Sequence, residues 1–79
     1  MKLNEKIKNA RKAAGLTQYQ IAEKLGIFAS QYQMYEYGTR RPRLNMLIKI
    51  AEACGVGLDY FGDDVNSVQI NSKKVAKNV

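Results

Sequence analysis

The chain has 79 residues, 46% of them apolar, with thirteen Lys/Arg against seven Asp/Glu and a net charge of +6. That length fills one core and leaves no room for a second. A lone cysteine, Cys54, and no histidine exclude an internal disulfide and the usual metal-ligand spacings, and suit a reducing cytoplasm. No apolar run is long enough to span a membrane, and the N-terminus lacks the apolar stretch of a signal peptide. So large a basic excess in a small domain favours a polyanionic partner.

The helical period dominates from the first residues onward. Leu3, Ile7, Ala10 and Ala14 fall on one stripe of a first helix. Gly15 then Leu16 reads as a left-handed glycine followed by the apolar residue that closes the stop. Thr17 with Gln20 three residues on matches a capping box, opening a second helix with Ile21, Ala22 and Leu25 inward. Gly26 ends it, and only Gly26 to Phe28 separate it from a third helix over about 29–37, closed by Gly38. In "TRRPR", Pro42 resists a helix interior and restricts Arg41 before it, which makes a loop. A fourth helix carries Leu44, Leu47, Ile48, Ala51 and Cys54 on one side and stops at Gly55–Val56. "GLDYFG" is a short fifth element with Leu58 and Phe61 inward. The first 62 residues hold no strand pattern, so the expectation is an all-α fold of five short helices around one core. Residues 63–79 turn polar, with scattered valines, and are expected to be a loosely ordered or dimerising tail.

The third helix has two unlike sides. At 100° per residue, Ala29, Ser30, Gln33, Met34 and Tyr37 share one arc, while Tyr32 and Tyr35 lie opposite, flanked by Gln31 and Glu36. The tyrosines have the bulk to pack on the first two helices. The other arc is small, uncharged and mostly polar, where an ordinary solvent-facing helix carries Lys and Glu. Such a face suits a DNA groove: Gln bonds adenine N6 and N7 together, Ser bonds either way, and Ala or Met rests on a thymine methyl. Arg40, Arg41 and Arg43, just after it, suit phosphates. The same residues also fit an ordinary exposed face and a solvated basic loop.

"LTQYQIAEKLGI" followed by "YEYGTRRPRLNMLIKIAEACGVGLDYF" resembles the lambda-repressor-like (Xre-type) helix-turn-helix family of bacterial and phage regulators. Gly15, Leu16, Thr17, Gln18, Ala22, Leu25, Gly26, Glu36, Gly38, Pro42, Leu47, Ile50, Ala51, Gly55, Val56, Leu58 and Asp59 match its pattern in register across residues 3–62. The resemblance implies a five-helix DNA-binding domain over 1–62 and a tail over 63–79. It implies sequence-specific binding of double-stranded DNA as a cytoplasmic homodimer, the second helix across the backbone and the third in the major groove, and a regulator that is a repressor. Carried over, Ala29, Ser30, Gln33 and Met34 meet base edges. Gln18 meets a phosphate and braces the third helix, and Arg40, Arg41 and Arg43 meet the backbone, with Tyr19 and Tyr37 as further phosphate candidates through their hydroxyls. Arg11 and Glu36 match positions that bridge the first and third helices as a brace.

Phe28 departs from the family, which places Ser or Thr at this N-cap; about 1 kcal/mol of capping is forgone there. Its ring either packs beneath the turn, the favoured placement, or stays exposed as a patch. Ala29 departs too, since Arg or Gln is common there, so the reading face is poor in hydrogen bonds. The buried position of Cys54 in the pattern makes it a core residue. Tyr60 and Phe61 fit either core or dimer contacts. Catalysis is not expected: there is no histidine, no thiol–base pair and no metal cluster, and no cofactor is implied. The competing reading is an antitoxin or protein-interaction module, in which the same fold, or its tail, binds a partner protein.

Overall fold

The computed structural model describes residues 1–62, and the tail expected over 63–79 lies outside them. In chain order come α1 (Leu3–Ala13), α2 (Gln18–Leu25), α3 (Ala29–Tyr37), α4 (Leu44–Cys54) and a 3-10 turn (Leu58–Phe61). The described residues contain no strand. The fifth element is therefore one 3-10 turn rather than a fifth α-helix, because Gly57 and Gly62 bracket only four residues.

Each helix is bounded by its own local chemistry. The Thr17 hydroxyl accepts from the Gln20 amide at 3.1 Å and the Gln20 side chain accepts from the Thr17 amide at 2.9 Å, so two orphan donors of α2 are satisfied reciprocally. α1, α2 and α4 end alike: the apolar residue after a glycine donates its amide back into the last turn, Leu16 to Arg11, Ile27 to Ala22 and Val56 to Ala51, at 3.0–3.2 Å. This stop corrects one reading from periodicity. Ala14 caps α1 and is exposed, because Gly15 turns the chain before the stripe can continue.

The core sits where the four helices converge. Ile7 of α1, Ile21 of α2, Tyr32 of α3, Leu47 and Ile50 of α4, and Phe61 are fully buried. Phe61 therefore belongs to the core, whereas Tyr60 remains partly exposed and meets the Phe61 ring edge-on at 5.4 Å. On α4 the inner side is Leu47, Ile50, Ala51 and Cys54, and Ile48 lies at the solvent edge. Burial pushes the Cys54 thiol above its ordinary pKa, as befits a small apolar core residue.

The turn between α2 and α3 decides how those two helices sit together. Gly26 takes a left-handed conformation with φ 74°, and Ile27 is half-buried against the core. At the other end of α3, Gly38 has φ 83°, and a Cβ there meets the Asn4 side chain at 3.3 Å, while at Gly26 a Cβ meets nothing within 4 Å. Asn4 is itself engaged, donating to the Glu36 carbonyl at 3.1 Å. Gly26→Ala is expected to cost about 1 kcal/mol from the backbone alone. Gly38→Ala is expected to cost more, because it also displaces Asn4 from the end of α3. Urea unfolding of the two variants checks this, and equal losses count against the Asn4 contact.

Candidate nucleic-acid interface

α3 is pinned from below by tyrosines and a buried carboxylate. Tyr32, Tyr35 and Glu36 are its buried residues. The Glu36 carboxylate accepts from Arg11 Nε at 2.5 Å and Nη2 at 3.4 Å, from the Tyr32 hydroxyl at 2.5 Å and from Gln18 Nε2 at 3.0 Å. Arg11 also donates from Nη1 to the Leu16 carbonyl at 2.8 Å, and so holds the α1–α2 connection in the same cluster. Donors from α1, α2 and α3 thus converge on one anion. Burial alone pushes the Glu36 carboxyl up, but the bonds from Arg11, Tyr32 and Gln18 outweigh it and hold the group below the usual carboxylate range. The bond to Glu36 raises Arg11. Burial, then the bond to Glu36, pushes the Tyr32 phenol well above its ordinary value, so it stays a donor.

The network continues outward. Gln33 Nε2 donates to Gln18 Oε1 at 3.0 Å. A carboxylate only accepts, so Gln18 must turn its NH2 to Glu36 and its oxygen to Gln33. The amide of Gln33 is oriented in turn, which leaves its Oε1 and one N–H for another partner. Gln18, matched to a phosphate position, therefore spends its oxygen and one N–H inside the protein.

On the outer arc Ser30, Met34 and Tyr37 are exposed, while Ala29 and Gln33 are half-buried. Tyr19, near the start of α2, is also exposed. The α3–α4 loop carries Arg40, Arg41 and Arg43, all exposed, around the buried Pro42. With Tyr35, Asn45, Met46 and Lys49 these arginines border an open recess of about 280 Å³. The predicted base-facing and backbone-facing residues thus lie on α2, α3 and the loop that follows.

Phe28 corrects the sequence reading. It is the α3 N-cap, makes no side-chain cap bond and is 80% exposed, rather than packed beneath the turn. Ile27 takes the inward place, and the extended backbone at Phe28 sends the next side chain the other way. The bracing of α3 by Gln18 was expected, but the Tyr32 hydroxyl in the carboxylate cluster and Gln33 as a partner of Gln18 were missed by sequence reasoning, although three polar residues at 18, 33 and 36 on neighbouring helices were a signal for them.

The Helix-turn-helix family model matches residues 7–61. The chain is similar to the cryptic phage CTXphi transcriptional repressor RstR of Vibrio cholerae, 34% identical over 95% of this chain and 71% of that protein. It is also similar to two proteins of Bacillus subtilis. One is the uncharacterized HTH-type transcriptional regulator YqaE, 41% identical over 91% of this chain and 65% of the relative. The other is the HTH-type transcriptional regulator ImmR, 38% identical over 77% and 48%. The chain thus spans less than two thirds of the length of both Bacillus relatives.

Glu36→Gln keeps the shape of the cluster and removes its charge. It is expected to cost about 3 kcal/mol at neutral pH by leaving Arg11 without its anion. Because the folded carboxyl is depressed, its stabilisation is complete above the unfolded value near ~4.3 and is lost as pH falls through the folded one. Urea titrations from pH 7 to pH 3 should show wild-type stability falling toward that of the variant in acid, with the variant's own curve flatter. Parallel curves count against an ionised Glu36.

Proposed function

The chain belongs to the helix-turn-helix family, and from that premise we propose that it is a DNA-binding transcriptional regulator, acting as a repressor, that inserts α3 into the major groove of double-stranded DNA. The observation that carries this reading is the outer arc of α3: it presents Ser30 and Met34 to solvent without a single Lys or Glu, directly beside Arg40, Arg41 and Arg43. A solvated helix face has no reason to avoid charge, whereas a groove floor lined by base edges favours neutral donors, acceptors and methyl contacts. The arginines supply the complementary function, neutralising phosphates on the groove walls and releasing counterions.

The roles divide accordingly. Ser30, Gln33, Met34 and the small Ala29 meet base edges. Gln33 offers one acceptor and one remaining N–H, the pair that complements adenine N6 and N7. Arg40, Arg41 and Arg43 hold the backbone, with Tyr19, Tyr37 and the remaining N–H of Gln18 as further phosphate donors. Arg11 and Glu36 touch no DNA and set the angle of α3. The active form is a cytoplasmic homodimer on an inverted repeat with half-sites about one turn, ~34 Å, apart. The described helices include none long and apolar enough to cross a membrane.

Selection from random duplexes, followed by titration at two salt concentrations, tests this reading. Affinity should fall steeply with salt. Arg40→Ala or Arg43→Ala should weaken all sequences alike and lower the salt slope by about one each. Gln33→Ala or Met34→Ala should instead change the preferred sequence, and Gln18→Ala should relax the same position as Gln33→Ala. Undetectable or salt-insensitive binding, with a small protein co-purifying in stoichiometric amount, favours the antitoxin or interaction-module reading instead.

A further inference from the structure

We propose that Phe28 reads the 5-methyl group of a thymine at the edge of each half-site, which makes this interface a methyl-sensing one at the entry to α3; the inference rests on the DNA-binding reading above.

Three observations lead there. Among the described residues Phe28 is the most exposed large apolar side chain, at 80%. It is also held in place: its backbone is extended with φ −74° and ψ 149°, and its carbonyl accepts from Gln31 and Tyr32 at 3.0 Å each. The ring is thus exposed on a backbone fixed by the first turn of α3. In the free protein the residue returns nothing, since a phenyl ring cannot cap the free amides of α3 and its apolar surface stays in water.

The second observation concerns its neighbours. The hydrogen-bonding capacity of the outer arc is small, because Gln33 is partly committed to Gln18 and Ala29 and Met34 offer none. Ser30 and Tyr37 supply the exposed hydroxyls of that arc. Phe28, Ala29 and Met34 each offer apolar contact only, and such residues need an apolar complement.

The third is electrostatic. The ring stands at the N-terminus of a helix whose C-terminal end runs into Arg40, Arg41 and Arg43. A partner that spans the length of α3 meets the ring at one end and positive charge at the other, and the basic end favours a polyanion. In the major groove of a duplex the apolar group on the base edges is the thymine C5-methyl. A polyanion with apolar points facing outward is thymine-bearing DNA, which satisfies the basic loop and the phenyl ring together.

The test removes the methyl and the ring separately. On the duplex obtained by selection, each thymine is replaced in turn by deoxyuridine, and binding is followed by fluorescence anisotropy for wild type, Phe28→Ala and Phe28→Ser. At one thymine per half-site, loss of the methyl should weaken wild type by about three- to fivefold, the size of one buried methyl. Phe28→Ala and Phe28→Ser should bind the thymine and deoxyuridine duplexes equally. Phe28→Ser is the folding control, because serine can cap α3 and its melting temperature should equal or exceed that of wild type. Equal responses of wild type and both variants at every thymine overturn the proposal while leaving DNA binding intact. Failure of the wild type to select any duplex, seen before a thymine is replaced, overturns the DNA-binding reading and this one with it.

Discussion

The position of α3 depends on one buried anion. Glu36 lies on α3 itself, yet its carboxylate collects donors from α1 through Arg11, from α2 through Gln18 and from its own helix through Tyr32. Taking a carboxylate out of water costs several kcal/mol unless its oxygens are satisfied. Here both are, with Arg11 and Gln18 on Oε1 and Arg11 and Tyr32 on Oε2. The net worth of such a cluster to stability is modest, because its Coulombic gain repays a desolvation cost. Its directional demands are larger. Hydrophobic packing tolerates small slides of one helix over another, but a planar guanidinium, a phenol and an amide reach the same two oxygens only at one mutual placement of three helices.

Tyrosine rather than phenylalanine at 32 follows from this. The ring is fully buried and fills the core between the helices, while its hydroxyl supplies a donor that no aliphatic residue could bring to the carboxylate. The amide chain from Glu36 through Gln18 to Gln33 extends the same constraint to the surface. A buried charge thereby fixes which end of a surface amide faces outward. Core and outer arc are joined by hydrogen-bond polarity, a property that packing alone does not transmit.

Much of the fold was legible because its signals are local. Glycine-then-apolar stops at Gly15, Gly26 and Gly55 and the Thr17–Gln20 box each act over a few residues, so periodicity and capping rules located α1 to α4 within a residue or two. Errors arose where a side chain's fate depends on a neighbour in space. Ile48 and Ile50 have equal claim to the inner side of α4 by composition, and only the path of the other helices buries Ile50. The Arg11 and Glu36 pairing came from the family pattern, since 25 residues separate them and no spacing rule on one helix can join them. Phe28 was misplaced because a large apolar residue beside a turn ordinarily packs under it. Ile27 already occupies that place.

The residues that contribute least to the free fold lie together. α3 starts on an uncapped phenylalanine, exposes Met34 and Tyr37, and carries on its exposed side none of the Lys and Glu that help a short helix in water. At nine residues it is too short to be stable alone. α2 has the reciprocal cap and charged residues at Glu23 and Lys24 on its solvent side. Two adjacent helices in one domain thus obey opposite rules, and the one that departs from them is also the one gripped by the buried carboxylate. α3 lacks the local devices that would hold it, and the tertiary cluster below it supplies the order those devices would have given. Phe28 belongs to the same pattern, because the capping it forgoes falls on the helix that the buried carboxylate holds.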